Sequence, residues 1–325
     1  MNLQDKVLVS IIIPSYNRRN ELRYCLTGVF SQQQSRLHVP SFNVIVFDNG
    51  SEDGTLDMLG KEFPAVNVLK SVMNIGASRA RNEALKIISA KYVWFLDSDS
   101  VIDNCDCLVR MVEIMETHED IGSIGGELIR YAEGTVLKRN KILLNGEPGS
   151  DFLEPKKVKL IDCDFLATCN CLTRRELVLK IGGFDPVYFF LCEDRELGFK
   201  IKKQGYRNVC DYSTAVLHNI SFAQERSIFL KCRNSFRFAL KNLPLWQILI
   251  LPFSTLCIRI SGFTLRQLKK ENPIVLKYVP GNRLFITRVL ILGTKYILAI
   301  FWAFLWNFWY LPETLKARFN RENYL

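Results

Sequence analysis

The chain is expected to fold as an α/β protein, a mostly parallel sheet with helices on both faces, followed by a helical C-terminal region. Two patterns carry that expectation. Over the first hundred residues, short runs apolar on both faces alternate with segments of helical spacing, as buried parallel strands and their crossover helices require. Beyond about residue 225 the chain changes character and mixes Trp, Phe, Leu and Ile with an excess of Lys and Arg. At 48% hydrophobic and 23% charged, the 325 residues are too apolar for a disordered chain and too long and varied for a collagen or a disulfide miniprotein.

Val7–Ile13 is an apolar run of strand length stopped by Pro14, and Arg19–Ser31 follows with Leu22, Leu26, Val29 and Phe30 on one helical face. Strands are expected at Phe42–Phe47, Val66–Leu69 and Tyr92–Leu96, with helices at Thr55–Lys61 and Ala77–Ser89 between them. After Ile121–Tyr131 the periodicity fades, and Ala132–Lys159 reads as a long polar loop rich in Gly and Pro. Regular structure is expected again at Phe165–Leu172, in helices over Arg174–Ile181 and Glu193–Gln204, and in a strand, Thr214–Leu217, that ends at His218. The ten cysteines are scattered through apolar runs, and Met1–Lys6 has no apolar signal core, so reduced, buried thiols in a cytosolic compartment are expected. The pairs Cys105/Cys107 and Cys169/Cys171 have C-x-C spacing, unlike the C-x-x-C of zinc ribbons.

In a doubly wound sheet ligands bind beyond the carboxyl ends of the strands, and acidic residues stand there. Asp48 follows the second strand and opens Asp48-Asn49-Gly50-Ser51, either as a plain turn with Asp53 as a helix cap or as an acceptor for a nucleobase edge. Asp97-Ser98-Asp99 follows Tyr92–Leu96; two carboxylates at i and i+2 repel unless a cation or donors lie between them, and a divalent ion bridging to a diphosphate supplies that charge. Taken alone, Glu193-Asp194 reads as acids complementing a helix dipole, and His218 as a buried imidazole rather than a ligand.

Taken in order, these segments resemble the family-two glycosyltransferases of the GT-A (Rossmann-like) fold, including their membrane-associated, rhamnosyltransferase-like members. The resemblance covers about residues 7–220 and runs through Val9-Ser10-Ile11-Ile12-Ile13-Pro14-Ser15-Tyr16-Asn17-Arg18 and Asp48-Asn49-Gly50-Ser51. It continues with Asn74-Ile75-Gly76, Ala80-Arg81-Asn82, Phe95-Leu96-Asp97-Ser98-Asp99, Gly182-Gly183-Phe184-Asp185, Glu193-Asp194, Gly205-Tyr206 and His218. It implies an inverting transfer from a nucleotide-sugar donor to a glycan or lipid-linked acceptor, with Mg2+ or Mn2+ as cofactor. Residue by residue it implies Pro14, Tyr16, Asn17, Asp48, Asn74, Arg81 and Asp97 around the nucleotide, with Arg79 a lesser candidate. Asp99 and His218 then bind the metal, Asp194 is the general base, and Glu193 lies on the acceptor side. Acceptor specificity is expected from Ala132–Lys159 and from Tyr188–Cys192. A nucleotidyltransferase of nucleotide-sugar synthesis is the competing enzyme class, but Ser15–Arg19 lacks the glycine-rich loop it needs. A non-catalytic sugar-nucleotide binding protein is a third reading, opposed by the intact set Asp48, Asp97, Asp99 and Asp194.

The net charge of +10 belongs to the tail: residues 226–325 carry 16 Lys and Arg against 3 Asp and Glu, whereas residues 1–225 carry 27 against 30. These are the expected domains, catalytic (1–225) and helical (226–325). Basic charge interleaved with large apolar side chains suits an anionic membrane surface better than nucleic acid, which is not an expected partner. Two uncharged windows of 17 residues, 242–258 and 296–312, occur in this tail. At about 1.5 Å per residue each is roughly 26 Å long, short of a hydrocarbon core. Interfacial or re-entrant helices at the cytoplasmic face of the cell membrane are therefore expected rather than two spans, with a packed helical subdomain as the alternative. Oligomeric state is not legible in the sequence.

Overall fold

The structure is a computed structural model and describes residues 7–131, 134–144, 146–153, 160–218, 228–248 and 283–319. The chain forms two compact units, the first taking in the described residues up to Ile142 and from Pro148 to His218. Leu143–Glu147 belong with the C-terminal helices in the second.

The first unit opens as β1 (Val9–Ser15), α1 (Arg19–Ser31), β2 (Phe42–Asp48), α2 (Thr55–Glu62), β3 (Asn67–Lys70), α3 (Ala77–Lys86) and β4 (Tyr92–Leu96). It continues with β5 (Ser100–Val101), α4 (Cys107–Thr117), β6 (Ile121–Gly125), β7 (Glu127–Tyr131), β8 (Gly134–Ile142) and β9 (Pro148–Leu153). The remaining elements are β10 (Leu160–Cys163), β11 (Asn170–Arg174), α5 (Arg175–Lys180), α6 (Glu193–Lys203), β12 (Arg207–Asp211) and β13 (Val216–His218). Eight strands form the main sheet in the order β10-β12-β6-β11-β4-β1-β2-β3, and five form a smaller one, β5-β13-β7-β8-β9.

Alternate residues of β1 serve opposite faces. Ile11 and Ile13 pack with Leu22, Leu26 and Val29 of α1 and with Met111 and Met115 of α4. Ile12 points the other way, among Ala84 and Leu85 of α3, Val178 of α5 and Leu197 and Ile201 of α6. That two-sided burial is why the strands read as continuous apolar runs.

The sheet is more mixed than expected. β1, β2, β3 and β4 are parallel neighbours, but β11 is inserted antiparallel between β4 and β6, and β10 is antiparallel to β12. Asn170 explains part of the insertion: it is fully buried, accepts from Trp94 Nε1 at 2.8 Å, and donates to the carbonyls of Gly126 and Thr214 at 3.0 and 2.7 Å. The expected polar loop at 132–159 is instead largely the antiparallel pair β8 and β9, in register from Leu137–Leu153 to Ile142–Pro148. Its strands escaped the pattern because ladder bonds and ion pairs hold them rather than apolar alternation; Asp151 bridges Arg139 and Lys141. Residues 132–133, 145 and 154–159 of that stretch lie outside the described residues. Helix α4 and strand β12 were not expected, and residues 212–214 form a 3-10 turn before β13 rather than the start of a strand.

Three helices make up most of the described part of the second unit: α7 (Ile228–Asn242), α8 (Arg283–Trp309) and α9 (Leu311–Phe319). Arg237 donates to Thr314 Oγ1 at 2.8 Å, Asn307 to the Arg233 carbonyl at 3.0 Å, and Arg318 to the Leu240 carbonyl at 2.6 Å. Arg233 also stacks over Trp306, 4.8 Å from its centroid. Trp302, Phe308 and Trp309 stay exposed, Trp309 at 81%. Among the described residues no helix is long and apolar enough to cross a membrane. Most of the 242–258 window, and residues 259–282 beyond it, lie outside the described residues.

Candidate active site

Most of the site residues stand at carboxyl ends of strands. Asp48 ends β2 and is 1% exposed; its Oδ2 accepts the Ser51 N–H at 3.1 Å, while Oδ1 is buried with no hydrogen-bond partner among the described residues. A buried acceptor left open is costly unless something outside the chain fills it. Pro14 is buried in β1, paired with Phe47, and Tyr16 just beyond is 45% exposed. Asn17, at φ +50°, donates its N–H to Ser51 Oγ at 2.9 Å and accepts the Glu52 N–H on its side chain at 2.8 Å, so it clamps the β1 and β2 loops together. Asp53 accepts the N–H groups of Arg19 and Thr55 and thereby ties the starts of α1 and α2, although the N-cap of α2 is Gly54, one residue beyond the expected cap. Asn74 accepts the Gly76 N–H at 2.9 Å. Gly76 is required there: at φ +87° it lies so close to the Phe189 carbonyl that a Cβ would sit 2.6 Å from that oxygen.

Asp97 and Asp99 lie just past β4. Their side chains converge on His218 Nε2, with Asp99 Oδ1 at 3.2 Å and Asp97 Oδ2 at 3.8 Å. The pairing of His218 with Ser100 across β13 and β5 brings the imidazole to this loop. Two carboxylates and an imidazole nitrogen, mutually within 4.8 Å, are a donor set that fits Mg2+ or Mn2+. Arg18 Nη1 reaches Asp99 Oδ2 at 2.7 Å. Burial raises the Asp99 acid, but His218 and then Arg18 outweigh it and hold the group below the usual carboxylate range. Burial likewise opposes protonation of His218, and its neighbours Cys169, Asp99 and Glu127 reverse that, so the imidazole is raised. Burial pushes the Cys169 thiol itself up to about 11, leaving it uncharged at neutral pH, so the carboxylates supply the negative charge.

Arg81 is 1% exposed and lies behind the carboxylates, with Nη2 on Asp97 Oδ1 at 2.6 Å and Nη1 on Glu193 Oε1 at 3.1 Å. It joins the strand-end loop to the start of α6, while Arg79 is exposed. Leu191 and Cys192, at φ +71° and +83°, make the left-handed turn that delivers Glu193 and Asp194. Burial pushes Glu193 up to about 7 against the pull of Arg81. Asp194 is raised as well, mainly by burial, although its Oδ1 accepts the Arg195 N–H at 2.7 Å. Three residues in or beside this cluster were not singled out from sequence, Arg18, Glu127 and Lys138, and Cys169 was expected only as a buried free thiol. Arg18 was within a quoted motif, but the others lie in segments whose register alone gives them a role.

Acidic strand ends around a doubly wound sheet, with an imidazole closing a group of donor atoms that could hold a cation, make this an α/β protein of the GT-A kind. The chain belongs to Glycosyl transferase family 2, whose model matches residues 10–182. It is 34% identical over 137 residues to TuaG of Bacillus subtilis, a protein named as a teichuronic acid biosynthesis glycosyltransferase; the match covers 41% of this chain and 52% of that one. It is 30% identical over 121 residues to a poly(ribitol-phosphate) beta-glucosyltransferase of Bacillus spizizenii, covering 36% and 18%. The chain thus matches about half the length of the first relative and less than a fifth of the second. Among solved structures, a mannosyltransferase from Pyrobaculum calidifontis in complex with GDP-Man and Mn2+ superposes with a TM-score of 0.59 at 15% identity, over 94% of this chain and 88% of that one.

Proposed function

We propose that the chain is an inverting, metal-dependent glycosyltransferase that moves a sugar from a nucleotide-sugar donor to a hydroxyl of a lipid-linked or cell-surface glycan acceptor. The observation that carries the reading is the convergence of Asp97, Asp99 and His218 on one cation-sized group of donor atoms. Membership of the family and relatives named for cell-envelope polymers support it.

Asp48 Oδ1 accepts an N–H from the nucleobase edge, and Pro14, Tyr16, Asn17 and Asn74 flank the nucleoside. Asp99, Asp97 and His218 would hold Mg2+ or Mn2+, which when bound would offset the charge left on the departing diphosphate. Arg81 fixes the Asp97 and Glu193 carboxylates relative to one another. Asp194 takes the proton of the acceptor hydroxyl, a poor nucleophile at neutral pH until that proton moves, and Glu193 shapes the acceptor side. One base opposite one leaving group means attack in line and inversion at the anomeric carbon.

Incubation with a panel of nucleoside-diphosphate hexoses and deoxyhexoses, rhamnose included, is expected to release nucleoside diphosphate slowly without acceptor. Release of pyrophosphate from a sugar phosphate and a nucleoside triphosphate would replace this reading with the nucleotidyltransferase one.

The tail is proposed to hold the site at the cytoplasmic face of a membrane, through its basic excess and the exposed Trp302, Phe308 and Trp309. Each Lys or Arg near an anionic surface contributes about 1 kcal/mol, and buried aromatic area adds to it. The full chain is expected to bind anionic vesicles and to be released by salt. A chain that ignores such vesicles, or stays bound through both salt and alkaline carbonate, would contradict interfacial attachment.

A further inference from the structure

His218 is gripped from both sides of its ring. Opposite the Nε2 that faces Asp99 and Asp97, Nδ1 lies 3.1 Å from Glu127 Oε1. Glu127 is 2% exposed, and its other oxygen accepts Lys138 Nζ at 2.7 Å. The ladder dictates these contacts: Glu127 opens β7 directly across from Lys138 of β8, and β13 runs parallel to β7 from the pair Val216–Glu127, which carries His218 past it.

A carboxylate this deep is costly unless both oxygens are satisfied, and here one serves the ammonium and the other the imidazole. Cys169 lies within the same group of donor atoms as Glu127 and His218. The Lys138 charge on Glu127 disfavours a cation between these three, so the group serves to hold the ring. An imidazole bonded at Nδ1 has its orientation fixed and its Nε2 lone pair free for a ligand on the other side.

We propose that Glu127, anchored by Lys138, is the positioning residue that orients His218, so that Nε2 is presented to the divalent ion held with Asp97 and Asp99. The proposal rests on the metal-dependent transferase reading above. Glu127 acts only through the histidine, and a double-mutant cycle isolates that relation.

Mn2+ binding by the full chain, followed as loss of the free-ion electron paramagnetic resonance signal, supplies the test without turnover. Glu127→Gln is expected to weaken Mn2+ binding by roughly 10–100-fold, the usual loss when the partner of a metal-bound histidine is removed. In a His218→Ala background the same change is expected to cost nothing further. The visible spectrum of the Co2+-loaded protein is expected to shift in Glu127→Gln, because the ring is free to turn. Should Glu127→Gln fail to fold, Lys138→Met, alone and with His218→Ala, reads the same coupling with a smaller loss. Wild-type binding with an unaffected Glu127→Gln, or full additivity with His218→Ala, would overturn the proposal while leaving the transferase reading intact. A wild-type chain that binds no Mn2+, with or without nucleoside diphosphate, would remove both.

Discussion

Asp99→Asn is expected to abolish measurable sugar transfer and Mn2+-dependent binding of nucleoside diphosphate while leaving the fold in place. A metal-bound diphosphate gains several kcal/mol of charge stabilisation. At about 1.4 kcal/mol per tenfold in rate, the loss amounts to roughly 10²–10⁴ in turnover. The fold survives because the neighbours of Asp99 keep other partners: Arg18 is partly exposed and rehydrates, and His218 retains Glu127. Steady-state rates across a Mn2+ titration, with circular dichroism of the same samples, check the prediction. Undiminished wild-type turnover in EDTA would remove the metal from the mechanism.

Asp194→Asn is expected to lower turnover by about 10²–10⁴, the usual loss on removing a general base, with donor affinity nearly unchanged. A parallel loss of donor affinity would mark Asp194 as a nucleotide or metal ligand instead. The pH profile carries a second signature. A base works ionised, so wild-type turnover falls as the pH is lowered through the apparent pKa values of the acidic pair, which belong to Glu193 and Asp194 together. Burial raises both, Glu193 to about 7, so the acid limb lies above the ordinary carboxylate range and is expected to disappear in the variant. Stability has the opposite sign. An acid raised by folding favours the native state below its unfolded pKa, and that contribution fades as the pH rises through the folded value. Removing the Asp194 charge is therefore expected to raise the thermal midpoint most at alkaline pH.

Much of this site was legible because it is local. The apolar runs that become β1, β2 and β4 end at Ser15, Asp48 and Leu96, and the strand-end rule assigned the polar residues that follow to a ligand. Asp48, Asp97, Asp99, Glu193 and Asp194 each fall within three residues of a strand end or a helix start, where hydrophobic periodicity marks a position well. The same periodicity failed at β8 and β9, whose ladder and ion pairs leave no alternation to read, and at β11, whose direction depends on a buried Asn170 bonded to two distant carbonyls.

By itself the sequence determined the α/β class, both helical faces of the main sheet, the order of the acidic strand ends and the basic, aromatic character of the tail. Tertiary structure alone decided which of these groups meet. Arg81 bridges Asp97 and Glu193 across 16 and 112 positions of sequence, and Glu127 reaches His218 across 91. Side-chain periodicity reports which face of an element is buried. It carries no information about strand neighbours or register, and the neighbours and registers of β5, β7, β8 and β13 put Lys138, Glu127, His218 and Asp99 in line.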